Sequence, residues 1–420
     1  MGKQEKKFTA VKGMVDIVPP GSRRWQGLEE AARRVFGAYG YGEIRTPILE
    51  KTELFRRGVG ETTSVVEKEM YTFEDQGGDL LSLRPEGTAS VVRAYIESGT
   101  AMSDPMVGYY YMGPMFRRER PQKGRQRQFY QIGCELLGAE SPFADVEIMA
   151  MTEQFLREAG ATDIALEINS LGCPACKPGY DAALVAYLQQ HLNDLCADCV
   201  RRMERNPMRV LDCKNEGCRH IVESAPSLPD FWCSDCVAHY AAVKHGLASV
   251  GVAFVENPRI VRGLDYYMRT AFEFTTTKLG AQNAVAAGGR YDGLVKSFGG
   301  PDVAGVGFAL GMERLLLMTE ETPLPEYEDI VFVAALGDTA REGIFPSIQM
   351  LRQDGVRVEW DYAGRSLKSQ MRRANRLRAR TVIIAGEDEM AKNEVQLKDM
   401  KTGEQRAVRI EDLPRHFVRV

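Results

Sequence analysis

Arginine, acid and aromatic residues alternate through one stretch, Met106 to Leu137, MVGYYYMGPMFRRERPQKGRQRQFYQIGCELL, in a pattern suited to a charged, planar ligand. Its spacing predicts two antiparallel strands joined by a long basic loop. Along the second strand, side chains alternate faces with period two. Tyr130, Ile132, Cys134 and Leu136 therefore face a core, and Phe129, Gln131, Gly133 and Glu135 face the other way. The second set suits a ligand floor: Phe129 stacks on a planar ring, Gly133 leaves room, and Gln131 and Glu135 accept hydrogen bonds. Arg117, Glu119 and Arg125 flank this floor with charges suited to a polyphosphate, which guanidinium forks hold bidentately. A basic surface hairpin is the alternative reading.

Absences narrow the chemistry. The chain has no GxxxxGK[ST] phosphate loop and no HEXXH, and GVGFALG has the wrong glycine spacing for a dinucleotide fingerprint. All five histidines (His191, His220, His239, His245, His416) lie far from the hairpin in sequence, in the cysteine-rich or C-terminal regions. An arginine-rich site without imidazole favours phosphoryl or nucleotidyl transfer by positioning and charge stabilisation over general-base hydrolysis.

The elements that must carry this site follow from periodicity. Trp25, Leu28, Ala32, Val35, Phe36 and Tyr39 mark a helix opening at Gly21 or Ser22, and EIRTPILE reads as a strand after it. LLSLRPEGTASVVRAYI is a strand, a turn and a helix, with Thr88 near a helix start whose unpaired donors welcome anions. Ile148, Thr152, Phe155 and Leu156 mark a further helix. From Cys173 to Cys236 strand alternation disappears, eight cysteines cluster, and apolar material between the cysteine pairs is sparse, so this region reads as an insertion. Alternation returns in RIVRGLDYYMRTAFEFTT. Beyond the acidic linker ETPLPEYED, a β-α-β-α-β pattern closes the chain. Its second helix, Ala363 to Arg380, carries seven basic residues and no acid, either a solvated face or a phosphate-binding surface.

Composition sets the outer limits. A chain of 420 residues with 44% hydrophobic and 27% charged residues is expected to fold as two or three domains. A net charge of −4 confines any nucleic-acid surface to a local patch. The N-terminus has no apolar segment behind its charges, Lys6 spoils a myristoylation signal, and no apolar run approaches a membrane span. A cytoplasmic location is expected, so the nine cysteines are thiols or metal ligands rather than disulfides.

Six segments in register resemble the histidyl-tRNA synthetases, a family of class II aminoacyl-tRNA synthetases. TPILEKTELF resembles motif 1, LLSLRPEGTAS the amino-acid-binding loop, and GPMFRRERPQKGRQRQFYQIGCE motif 2. VRGLDYYMRTAFE and AGGRYDGL resemble the two histidyl signature peptides, and GVGFALGMERL motif 3. The resemblance implies an α+β fold: a six-stranded antiparallel sheet flanked by helices, a helical insertion, and a C-terminal α/β anticodon-binding domain. Expected bounds are 1–170 and 251–322 for the catalytic domain, 171–250 for the insertion, and 328–420 for the last domain. The implied activity is ATP-dependent charging of tRNA(His) with L-histidine through histidyl-adenylate, releasing AMP and pyrophosphate, by a homodimer. Implied ATP ligands are Arg117, Glu119, Arg125, Phe129 and Arg314, with Mg2+ accompanying the nucleotide. Implied histidine ligands are Glu86, Thr88, Gln131, Glu135, Tyr266 and Tyr267. Arg262, with Arg117, is expected to stabilise charge as the carboxylate attacks phosphorus. Arg372, Arg373 and Arg376 are candidate tRNA contacts.

The insertion departs from family members that carry few cysteines there. Cys173-x-x-Cys176, Cys196-x-x-Cys199, Cys213-x4-Cys218 and Cys233-x-x-Cys236 have spacings that let two thiolates share one tetrahedral ion. Four pairs suffice for two structural zinc sites, against the alternative of buried thiols. Lying outside every nucleotide motif, such zinc is expected to serve the insertion alone. Two rival functions weaken on the same residues. A regulatory paralogue that controls histidine biosynthesis is expected to have lost ATP-site arginines and the last domain. A pure tRNA-binding module has no use for the catalytic constellation.

Overall fold

The computed structural model describes residues 8–61, 63–213, 215–279, 283–319 and 328–417. They divide into two compact units, Met1–Glu321 and Thr322–Val420. The acidic linker lies outside the described residues apart from Glu328 and Asp329.

The first unit is built on one sheet. Its strands lie in the order Gly42–Glu43, Val107–Phe116, Gln128–Leu137, Gly305–Gly311, Ala284–Arg290, Met268–Thr275, Ala165–Ser170 and Phe254–Glu256. The six inner strands are antiparallel throughout, as expected. A short strand extends each end, and both pair in parallel. The central hairpin pairs fully from Val107 opposite Leu137 to Phe116 opposite Gln128.

Helices Gly21–Ala38, Pro142–Glu158 and Ser234–Ser249 contribute to the core built against this sheet. The middle helix starts where Ser141 accepts a hydrogen bond from the Phe143 N–H and Pro142 fills the first turn, a favoured N-terminal pairing. Leu28, Val35, Phe36 and Phe155 pack with Ile132, Cys134, Phe272 and Phe308 of the strands. Cys134 is a buried thiol of that core.

EIRTPILE is not one strand. Gly42–Glu43 joins the large sheet, while Leu49–Lys51 is the edge of a separate three-stranded sheet with Leu80–Leu83 and Tyr71–Glu74. Pro47, which has no N–H to donate, lies in the gap between the two pieces.

The insertion also differs from expectation in its apolar content, which forms a core shared with Ile260 and Ala271 of the sheet-bearing part. Tyr180, Leu184, Leu188, Met203, Val210 and Leu228 cluster there among helices Lys177–Gln189, Ala197–Arg205 and Glu216–Val222.

In the second unit, Val358–Trp360, Glu328–Ala335 and Ala379–Ala385 are parallel, followed by antiparallel Glu394–Asp399 and Gln405–Arg409. The basic helix is shorter than expected, Leu367–Arg376. Arg378 turns the chain with φ +57°, and Arg380 already belongs to the next strand.

A buried ion network locks the first unit. The guanidinium of Arg290, fully buried, grips the equally buried carboxylate of Asp145 and also donates to the carbonyls of Ala139 (2.9 Å) and Ser141 (3.1 Å). His239 Nε2 lies 3.6 Å from the same carboxylate. Burial pushes the Asp145 carboxyl up, but His239 and Arg290 outweigh it and hold the acid below its usual range. Removing the carboxylate leaves the buried guanidinium with only the partly exposed Asp292 (3.0 Å) as counter-ion, at a cost of up to ~3–5 kcal/mol. Asp145→Ala is therefore expected to lower the denaturant midpoint of unfolding sharply. Asp145→Asn, which keeps an acceptor, should lose less, and equal midpoints for wild type and Asp145→Ala would show the network to be neutral.

Candidate active site

Two pockets of opposite character meet on the ligand-facing side of the central hairpin. The first surrounds a carboxylate. Glu135, 1% exposed, accepts 2.6 Å from Thr88 Oγ1 and a second hydrogen bond from the Tyr291 hydroxyl. Burial pushes its pKa up to about 8, against the lowering effect of Thr88 and Tyr291 and with a further push from Glu86. Close approach is possible because Gly307 lies directly opposite Glu135 in the neighbouring strand: a Cβ there would sit 2.0 Å from the carboxylate oxygen.

Gly133 has a different task from the one its spacing suggested. The space it leaves is filled by the Tyr111 ring, 2.4 Å from where its Cβ would be, rather than kept for a ligand. Glu86 corrects another expectation. Its carboxylate accepts from the N–H groups of Thr88 (2.7 Å) and Ala89 (2.9 Å), so the start of helix Thr88–Glu97 is already capped by an anion. Burial nevertheless raises the Glu86 pKa against those bonds and the nearby Arg117. The pocket thus holds two buried carboxyl groups whose pKa values burial raises, and a cationic or hydrogen-bond-donating group entering it would favour their ionised form.

Unused polar atoms converge here. Tyr111 Oη, Gln131 Oε1, Tyr266 Oη and Arg262 Nε are buried with no hydrogen-bond partner among the described residues. Native interiors leave few such atoms, and each is a point where a polar ligand recovers a lost hydrogen bond. Tyr266 and Tyr267 stack with ring centroids 4.6 Å apart, and the Arg262 guanidinium lies 5.3 Å over the Tyr267 ring. Glu273 holds Arg262 from the strand side at 2.5 Å.

The second pocket is cationic. Arg117 donates to the Pro85 carbonyl at 3.0 Å and lies 5.1 Å over the Phe129 ring. Arg125 pairs with Glu119 at 2.7 Å, and Arg314 donates to the Ala284 carbonyl at 2.7 Å. Burial lowers the Arg314 pKa, and Arg125 and Arg117 lower it further while Glu119 and Glu273 oppose them. The guanidinium groups of Arg117 and Arg125, whose charges act on Arg314, thus gather with it in one place, an arrangement that can hold a polyanion. All the ATP and histidine residues expected from sequence are brought together. Tyr111, Tyr291 and Glu273 were missed, although alternation in Tyr109-Tyr110-Tyr111 and the hairpin pairing would have placed Tyr111 against Gly133.

The eight cysteines of the insertion form two quartets. Cys173, Cys176, Cys233 and Cys236 make one; Cys196, Cys199, Cys213 and Cys218 make the other, with all sulfurs of each quartet within 4.8 Å. Tetrahedral zinc with bonds near 2.3 Å needs sulfurs ~3.8 Å apart. The spacings are 3.6 Å (Cys173–Cys176), 3.8 Å (Cys173–Cys233), 3.7 Å (Cys176–Cys236) and 3.8 Å (Cys196–Cys213). Backbone N–H groups of Cys233 and Cys196 point at Cys176 (3.1 Å) and Cys218 (3.2 Å), as they would at thiolates. The donor set fits zinc in both places.

In the second unit, Arg372 and Arg376 are exposed, whereas Arg373 turns toward Glu359 (3.8 Å) and Asp361 (4.0 Å). Phe345, Trp360 and Tyr362 pack in a row, tilted and then edge-to-face, with centroids 5.5 and 4.9 Å apart, ending in the exposed Tyr362.

An antiparallel sheet carrying a pocket of buried carboxyl groups beside a cluster of arginines, with a separate α/β unit, is the arrangement of a class II aminoacyl-tRNA synthetase. The comparisons agree: a family model for histidyl-tRNA synthetase matches residues 13–315, and one for an anticodon binding domain matches residues 331–419. The chain belongs to the histidyl-tRNA synthetase family. It is 49% identical to a histidine--tRNA ligase of Syntrophotalea carbinolica, covering 97% of each chain. With that of Geobacter metallireducens it shares 52% identity over 95% of this chain and 96% of the relative. The crystal structure of apo S. aureus histidyl-tRNA synthetase superimposes with a TM-score of 0.83 at 37% identity, covering 98% of this chain and all of that one.

The raised pKa of Glu135 has a measurable consequence. An acid at 4.5 when unfolded and about 8 when folded takes up a proton on folding, so its contribution to stability falls as pH rises through that window. Glu135→Gln, which cannot ionise, is expected to gain stability relative to wild type between pH 6 and 9 while losing ~100-fold or more in kcat/KM for histidine. Denaturant midpoints across that pH range test the first part. A constant difference between the two proteins would mean that Glu135 does not titrate there.

Proposed function

We propose that this cleft makes histidyl-adenylate from L-histidine and ATP, releasing pyrophosphate, and then passes the histidyl group to tRNA(His), releasing AMP. The observation that carries the reading is the buried Glu135 carboxyl group, held by Thr88 and Tyr291 with Tyr111 and Tyr266 beside it, on the same hairpin as Arg117 and Arg125, which cluster with Arg314. Glu86 takes the substrate's ammonium group, with Thr88 and Gln131 beside it, and Glu135 and Tyr267, supported by Tyr266, take the imidazole. Arg117, Arg125 and Arg314 hold the polyphosphate, Phe129 and Glu119 the adenine, and Mg2+ enters with the nucleotide. Arg262, with its unpartnered Nε, sits where carboxylate and α-phosphate meet. Two anions repel as they approach, and a fixed guanidinium offsets that repulsion most as charge builds in the transition state.

Several finer assignments belong to the same reading. Exposed Ile48 and Leu49 on the motif 1 edge strand support a homodimer through that surface. Nine free cysteines and no long apolar helix among the described residues support a cytoplasmic enzyme. Each cysteine quartet holds one structural zinc ion, and residues 171–250 form an insertion into a catalytic domain made of 1–170 and 251–322. The unit from 328 to 420 binds the anticodon arm, with phosphates on Arg372 and Arg376 and an unstacked base on Tyr362.

Histidine-dependent exchange of labelled pyrophosphate into ATP tests the reaction, and its absence from active, folded protein would end the proposal. Arg262→Ala is expected to keep histidine and ATP affinity within a few-fold while slowing single-turnover adenylate formation ~100-fold or more. A near-normal rate removes Arg262 from the mechanism. Replacing Arg372 and Arg376 together by Ala should leave exchange intact, raise KM for tRNA, and reduce the salt slope of tRNA binding by about two. An unchanged slope would make them solvated side chains.

A further inference from the structure

The two cysteine quartets occupy different places in the chain. Cys196, Cys199, Cys213 and Cys218 all belong to the interior of the insertion. Cys173 and Cys176 instead follow strand Ala165–Ser170 as the chain leaves the sheet. Cys233 and Cys236 stand at the start of helix Ser234–Ser249, which brings it back. This second group closes the neck of the insertion, where outgoing and returning segments pass each other.

The neck is tied to the reacting groups by short backbone links. Leu171 donates to the Arg269 carbonyl at 2.7 Å, and Arg269 donates back to the Gly172 carbonyl at 2.7 Å. Arg269 is held at φ +49°, a conformation unfavourable for a residue with a Cβ. It lies where strand Met268–Thr275 loses register with its neighbour, just after Tyr266 and Tyr267. On the other flank, Asn169 donates to the carbonyls of Pro258 (3.2 Å) and Ile260 (3.1 Å), which precede Arg262. Both ends of the segment from Arg262 to Tyr267 are therefore anchored on the residues leading into Cys173. A cavity of about 490 Å³ lies between them, lined by Leu171, Gly172 and Cys173 on one side and Arg262, Tyr266 and Tyr267 on the other. Gly172, with φ +69°, makes the tight turn onto Cys176, whose Cβ a side chain there would meet at 3.1 Å.

The returning segment is equally fixed. Trp232 packs edge-on against Tyr240 at 5.1 Å, and the Tyr240 hydroxyl donates to the Ile168 carbonyl at 3.4 Å. His239 of the same helix reaches the Asp145–Arg290 network. An ion bridging Cys173 and Cys176 to Cys233 and Cys236 would join this helix to the strand end that anchors the Arg262–Tyr267 segment.

We propose that the neck quartet is a metal site that positions Arg262 and Tyr267 for histidine activation through both ends of their segment, whereas the inner quartet reaches only its middle, where Asn206 (2.8 Å) and Arg209 (3.2 Å) donate to Asp265 and Arg209 donates to the Gly263 carbonyl at 2.6 Å. This rests on the reading of the quartets as zinc sites and replaces the expectation that such zinc is remote from catalysis. Linkage makes the effect reciprocal: if the neck ion favours the histidine-binding arrangement, histidine tightens the neck ion by the same factor.

The test compares Cys233→Ser at the neck with Cys213→Ser inside the insertion, each in the full chain. Wild type should contain close to two zinc ions by elemental analysis, and each variant close to one. The neck variant should show a ~10-fold or larger rise in KM for histidine or fall in kcat of pyrophosphate exchange, with KM for ATP within about two-fold. The inner variant should change each of these several-fold less than the neck variant does. A second readout needs no activity and no mutation. Saturating histidine should lower the fraction of neck zinc lost to a competing chelator at equilibrium in wild type, with a smaller effect on inner zinc. The Cys213→Ser variant, carrying only the neck ion, assigns the signal. Loss of one zinc ion from the neck variant with exchange unchanged, or no histidine effect on chelation in wild type, would overturn the positioning role and leave the zinc reading standing. Wild type without zinc would overturn both. The reaction itself fails separately, through absent pyrophosphate exchange in wild type.

Discussion

Burying a carboxylate costs several kcal/mol unless partners replace the water it loses, and the structure around Glu135 is arranged about that cost. Thr88 and Tyr291 each donate to it, so helix Thr88–Glu97 must begin at this height and strand Ala284–Arg290 must end where Tyr291 can reach. The neighbouring strand must offer glycine at position 307, because any larger residue would occupy the carboxylate's space. Tyr111 closes the pocket through the gap at Gly133. The opposite face of the same strand, with Ile132 and Cys134, is packed in the apolar core. One strand thus separates hydrocarbon from a polar pocket with a single alternation of side chains.

The cationic half obeys the converse constraint. Guanidinium groups at 117, 125 and 314 disfavour one another, and each is held by a nearby acceptor: the Pro85 carbonyl, Glu119 and the Ala284 carbonyl. Glu273 sits across the junction, gripping Arg262 while its field also reaches Arg314. In a chain with net charge −4, this keeps positive potential inside one cleft, where a polyphosphate is attracted without a broadly basic surface.

Legibility in the sequence followed the range of the interactions. Phe129, Gln131 and Glu135 could be read from period-two alternation, and the amphipathic helix Gly21–Ala38 from its repeat, because both patterns are local. The division of EIRTPILE between two sheets was hidden, since alternation shows a strand's faces and not its partner. Tyr111, Tyr291 and Glu273 stayed hidden for the same reason: each reaches the site across a strand register. Asp145 and Arg290 meet across 145 positions, with no local signal that either is buried. Cysteine spacing revealed pairs but not which pairs combine, and only the fold brings Cys173 and Cys176 to Cys233 and Cys236. Thr88 was placed correctly and misread, because Glu86 two residues earlier had already filled the anion position at the helix start.

That cap at Glu86 bears on handedness. On the proposed assignment an ammonium group is fixed at Glu86, an imidazole at Glu135, and a carboxylate beneath Arg262. Three different substituents of one tetrahedral carbon are then held at three separate points, and the fourth, hydrogen, takes the remaining direction. Reversing the configuration at that carbon would bring one substituent to the wrong partner, an acid facing an acid or an apolar edge facing a buried carboxylate. The same charges that bind the substrate would therefore distinguish it from its mirror image, without any wall shaped for the purpose.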